Sequence, residues 1–209
     1  MSLFTDFSRR IKFLLKRDWP LFLIMMLLFF GGIWLGTKLP ETNPSLAKAI
    51  EKSVTNKFGS MKDWLKDMPL FVWILVIWVN NLIASYISFL SGILIIFPAV
   101  FVIYQGVILG VVQNLTETGH LSRNQFYLSL LPHGVIELSA IFIISGLGIR
   151  FGLTICRSLW RLIRGRDNQE LFKTFVAETR DYFILITIML FIAAIIEVTI
   201  SPMVLGVKI

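Results

Sequence analysis

Residues 69–112 read PLFVWILVIWVNNLIASYISFLSGILIIFPAVFVIYQGVILGVV and contain no Asp, Glu, Lys, Arg or His. A helix crosses a hydrocarbon core in about 20 apolar residues, so this run is too long for one crossing and right for two. Ser91-Gly92 is the best internal break and Pro98 a second. They place spans at 70–90 and 94–113. The uncharged link between them reads either as a tight turn or as a re-entrant segment covered by protein.

The same logic extends outward. PLFLIMMLLFFGGIWLG, residues 20–36, lies at the centre of a first span over 19–39, and further apolar runs cover 127–149 and 182–203. Mean hydropathy is +0.78, far too apolar for a soluble domain of this length. The expectation is an all-α membrane protein, a bundle of five transmembrane helices forming one domain over 19–209. Residues 1–18 place Leu3, Phe7, Ile11, Leu14 and Leu15 on one helical face, with Arg9, Lys12 and Lys16 largely on the other. That pattern predicts a basic amphipathic helix lying on the membrane surface. Its charges, and an apolar run without a cleavage site, argue for a retained anchor rather than a signal peptide. In the loop 40–68, the spacing of Leu46, Ile50, Val54, Phe58, Met61 and Leu65 predicts one or two further amphipathic helices.

The net charge of +7 does not point to nucleic acid, because the cations cluster beside apolar spans. Five basic residues fall between 9 and 17 and seven between 150 and 180, against eight elsewhere, and every arginine except Arg123 belongs to the first two groups. The positive-inside rule then sets the N-terminus in the cytoplasm, loop 40–68 and the C-terminus outside, and the basic segment 150–181 inside. Arg9, Lys12 and Lys16, with Arg157, Arg161 and Arg164 on one face of the second cluster, are expected at anionic lipid headgroups. Leu159, Trp160 and Ile163 oppose that face, and Asp167-x-x-Glu170 resembles a capping box opening another helix. The single cysteine, Cys156, excludes an intramolecular disulfide.

Polar groups inside spans cost free energy and need a reason. Asn80 and Asn81 sit mid-span, with Ser85 and Ser88 continuing the Asn81 face; Gln105 lies in the third span and Glu197 late in the fifth. In LLPHGVIELSA, residues 130–140, His133 and Glu137 are four apart and share a helix face, after Pro132, which can bend or start the helix. His133, Glu137, Asn80, Asn81, Gln105 and Glu197 therefore form a candidate intramembrane cluster. Three readings stay open: a hydrogen-bonded structural network, a proton- or ion-handling pair, and a metal site. The second histidine, His120, falls in a polar loop, and no catalytic motif is present, so neither a metal nor another cofactor is expected. GxxxG spacings recur at Gly32/Gly36, Gly106/Gly110 and Gly148/Gly152, and Gly134 offers another close approach; they predict tight helix packing within the chain and leave a homo-oligomer open.

Asn80-Asn81, Pro132-His133-Gly134 with Glu137, and Ile196-Glu197 with Pro202 together resemble the stage II sporulation protein M family over residues 20–204. Where that family has Asn-Gly in the third span, this chain has Gln105-Gly106. The resemblance implies a multi-pass membrane protein and, in the member that acts in spore engulfment, a membrane anchor for cell-wall-degrading partners. The functional expectation is a scaffold that organises protein partners through loop 40–68 or the basic segment 150–181. The alternatives are a transporter or channel-like protein using His133 and Glu137, and an intramembrane metal-dependent enzyme.

Overall fold

The computed structural model describes residues 3–65, 67–115 and 123–204, and no strand occurs among them. The order is α1 (Leu3–Thr42), α2 (Pro44–Leu65), α3 (Leu70–Ser91), α4 (Phe97–Leu115), α5 (Arg123–Ile163) and α6 (Gln169–Val204). Five of these, all but α2, are long and apolar enough to cross a membrane. Their outward faces reverse the soluble pattern: Leu27 and Trp34 on α1, and Leu75, Val79, Ile83 and Ile87 on α3, are exposed at helical spacing. Such faces suit lipid tails. The fold is the all-α membrane bundle that the sequence predicts.

The link within 69–112 is the tight turn. α3 stops at Ser91, one 3-10 turn occupies Gly92–Leu94, and Ile95 takes φ +50° before α4 begins at Phe97. Positive φ on a β-branched residue is strained. Beyond it, α4 has little contact with α3 and lies along α1.

The α1–α4 seam is built on glycine. A Cβ at Gly32 would strike the Ile103 carbonyl, one at Gly36 the Val107 carbonyl, and ones at Gly106 and Gly110 the carbonyls of Phe29 and Ile33. The two GxxxG motifs thus face each other with backbone against backbone. Asn114 Nδ2 donates to the Thr37 carbonyl at 3.2 Å, one turn farther along the seam. The third motif meets the interhelical turn, since Gly148 and Gly152 both abut Gly92.

α5 is the central helix, packing on α1, α3, α4 and α6. On one side it covers a small core around Met25, Phe29 and Val102. On the other it shares a larger one, including Ala140, Ile144, Leu147, Tyr182, Ile186 and Leu190. Trp78 Nε1 donates to the Thr187 carbonyl at 3.1 Å, and Ser88 and Ser145 hydroxyls pair at 2.8 Å, tying α3 to both helices. α5 and α6 form a hairpin. Gly165 ends α5 at φ +66°, with its N–H on the Leu162 carbonyl and the Arg166 N–H on the Arg161 carbonyl, a Schellman closure. The Asp167 carboxylate accepts the Gln169 amide at 2.9 Å and so opens α6. Glu170 pairs with Lys173 instead of completing a capping box.

Three long helices are locked together at one level. Asp18 of α1 accepts both branches of the Arg17 guanidinium at 2.9 Å, Arg150 of α5 at 3.0 Å and the Tyr182 hydroxyl of α6 at 2.9 Å. Glu178 of α6 accepts Arg17 at 2.6 Å and also Arg150. Two arginines and two carboxylates cancel in charge. One turn farther along α6, Arg10 donates to Asp181 at 2.7 Å.

Helix bounds run past the expected span ends. α1 continues unbroken from Leu3 through Pro20 to Thr42, and Ile11 and Leu14 are buried by protein. α5 and α6 likewise extend into the basic segment 150–181. With 41 residues, α5 is about 60 Å long, roughly twice a hydrocarbon core. Arg157 and Arg161 are exposed on this extension, and Arg164 just past it stacks 4.5 Å over Trp160. α2 is one helix, capped by the Asn43 side chain, which accepts the Leu46 amide at 3.1 Å, with Pro44 at its first position. Ala47, Ile50 and Leu65 are buried against the bundle, while Leu46 is exposed.

Two paired substitutions test these forces. Gly32→Ala is expected to lower the thermal midpoint of the purified protein by an amount reflecting about 1–3 kcal/mol of overpacking. Gly31→Ala, where a Cβ meets nothing within 4 Å, leaves the midpoint unchanged. Asp18→Asn strips the shared anion from two arginines and should cost about 3 kcal/mol. Glu170→Gln, which breaks only an exposed pair, should cost less than about 0.5 kcal/mol in the same melt.

Candidate functional site

His133 and Glu137 lie one turn apart on α5, after Pro132, which sits inside the helix rather than at its start. Glu197 comes from α6, which runs alongside. The fold brings these three together: one donor atom from each lies within 4.8 Å of the others, the only such His, Cys, Asp or Glu group among the described residues. His133 is buried and the two glutamates are half-buried. Beside Glu197, Ala194 and Val198 join Ile77 in a small apolar cluster flanked by Trp73, Ile74 and Trp78. An imidazole nitrogen and two carboxylate oxygens at this spacing can share a proton or hold a cation.

The remaining members of the sequence-derived cluster stand differently. Asn80 is exposed and donates to Asn81 at 3.3 Å. Gln105 is half-buried on α4. Ser88 bonds across to α5, whereas the buried Ser85 hydroxyl has no partner among the described residues. A Cβ at Gly134 would meet only Leu130 of its own helix, so Gly134 does not serve as a close-approach point for a described neighbour. His120 and its loop lie outside the described residues.

What sequence reasoning missed is the acidic half of the ion network. Asp18, Glu178 and Asp181 fall in stretches dominated by cations, and each looks like a solvated counter-charge there. In the fold Asp18 is 8% and Asp181 4% exposed. A usable signal is present in α6: Glu178, Asp181 and Tyr182 recur at three and four residues, placing them on one helix face.

A family model described as Stage II sporulation protein M matches residues 21–202, a stretch that includes His133, Glu137 and Glu197. Comparison with curated proteins and with solved structures gives no match. Since the family match covers most of the chain, this chain, with its five helices long and apolar enough to cross a membrane, belongs to the stage II sporulation protein M family.

Proposed function

We propose that this protein is a membrane scaffold, a braced helical bundle that presents docking elements on both sides of the cell membrane. The observation that carries this reading is α2. It lies outside the five spans, is fixed to the bundle by one face and caps, and turns Lys48, Lys52, Lys57 and Asp63 outward. A helix held in place this way is a pre-organised surface, which lowers the entropy a partner must lose on docking. The distribution of arginines supports an orientation with the N-terminus and the α5–α6 turn in the cytoplasm, and α2 and the C-terminus outside. In that orientation the extensions of α1, α5 and α6 form a basic platform at the inner leaflet, with Arg9, Lys12, Lys16, Arg157 and Arg161 exposed.

A transport pathway is the weaker reading. His133, Glu137 and Glu197 stand at one level of the bundle and the Asp18–Arg150–Glu178 layer at another. Between them α5 and α6 pack through Ala140, Ile144, Leu147, Leu190 and Ala194, all at most 2% exposed. A charged solute would have to cross that tightly packed zone, where the Ser88–Ser145 hydroxyl pair is already self-satisfied and carries no charge.

Replacing residues 44–65 with a neutral linker of equal length tests the scaffold. Partners captured with the full-length protein from detergent-solubilised membranes should be lost, while the five-helix bundle still elutes as a single species and melts cooperatively, at a lower temperature because Ile50 and Leu65 no longer pack on it. Unchanged partner recovery would remove α2 from the function.

A further inference from the structure

We infer that His133, Glu137 and Glu197 bind one first-row divalent transition-metal ion, of the Zn²⁺ class, which fastens α5 to α6 at the end opposite the arginine network. Charge matching distinguishes the two ends of the α5–α6 pair. At the arginine level every buried carboxylate has a cation: Asp18 has Arg17 and Arg150, Glu178 has the same two, and Asp181 has Arg10. Glu137 and Glu197 have no lysine or arginine partner among the described residues. Two carboxylates held close together in a low-dielectric setting repel each other. A divalent ion removes both negative charges at once.

The donor set selects the class of ion. Imidazole favours Zn²⁺, Fe²⁺ and similar ions, and the two carboxylates are acceptable to them, whereas Ca²⁺ takes six to eight oxygen ligands. Metal–ligand bonds of about 2.0–2.2 Å in a tetrahedral site put donors roughly 3.4 Å apart. The present separations, within 4.8 Å, close to that by small side-chain rotations. The i, i+4 pair on α5 supplies two ligands on one face and α6 supplies the third, so the ion bridges two helices. Three protein donors leave one coordination position for water.

The location suits uptake. Along α5, His133 is 17 positions from Arg150, about 25 Å of helix and nearly the thickness of a hydrocarbon core. The group therefore lies close to the far membrane boundary, within reach of an aqueous ion.

The test uses full-length protein carrying a histidine-free affinity tag, in detergent, loaded with Zn²⁺ and desalted. Elemental analysis should find about one zinc per chain, and His133→Ala or Glu137→Gln should weaken binding at least about tenfold. Zinc should raise the thermal midpoint of the parent protein and not that of either variant, and Co²⁺ should give a ligand-field absorption that Glu197→Gln alters. Zinc well below one per chain in a parent protein that elutes as a single species would overturn the assignment, leaving two carboxyl groups that share a proton. Equal zinc in the parent and the His133→Ala/Glu137→Gln/Glu197→Gln triple variant would also overturn it. This outcome is independent of the α2 exchange, which leaves all three ligands in place.

Discussion

Asp18 is where the long helices become one object. Its carboxylate receives Arg17 from its own helix, Arg150 from α5 and Tyr182 from α6, and Glu178 answers the same two arginines from the other side. Between lipid-embedded helices there is no hydrophobic drive to associate, because lipid tails are as apolar as leucine. Association then rests on close van der Waals packing and on polar ties that have no better partner. Asp18 supplies the tie that reaches all three long helices, placed where α1, α5 and α6 continue as a basic extension. The glycine seam between α1 and α4 provides the packing term, and α5 joins the two halves.

Much of this architecture can be read from the chain because membranes constrain it so tightly. The 69–112 run had to make two crossings, and Ser91-Gly92 was the place where a helix could end. The paired glycines announced close backbone approach, although only the fold shows which motif meets which. Helix length was harder. A crossing needs about 20 residues, but nothing near residues 18 or 150 obliges a helix to stop at the membrane boundary, and protein–protein burial of Leu14 and Phe175 rewards continuing. Pro20, Pro40 and Pro132 are carried inside helices rather than ending them.

The candidate site was readable only in part. His133 and Glu137 are bound to one face by helix geometry, so four residues of spacing sufficed. Glu197 is 60 positions from Glu137, and its arrival depends on the α5–α6 hairpin register, which a single span cannot reveal. Asn80 and Asn81 were expected to face the same cluster because mid-span amides need partners. They partly satisfy each other instead, and the rotation of α3 leaves Asn80 at the surface. With only His133 and His120 in the chain, histidine count alone gave little support to a metal reading, and which carboxylates stand beside His133 is visible only in the fold.

The glycine seam carries a consequence for self-association. GxxxG is the pattern by which membrane helices commonly dimerise, yet Gly32 and Gly36 are already occupied by Gly106 and Gly110 of the same chain. A second copy would have to pull α1 from α4 to use them. Among the described residues, the two GxxxG faces of α1 and α4 are thus already covered within one chain. Glycine, the residue type most suggestive of a dimer in the sequence, is spent on making the monomer.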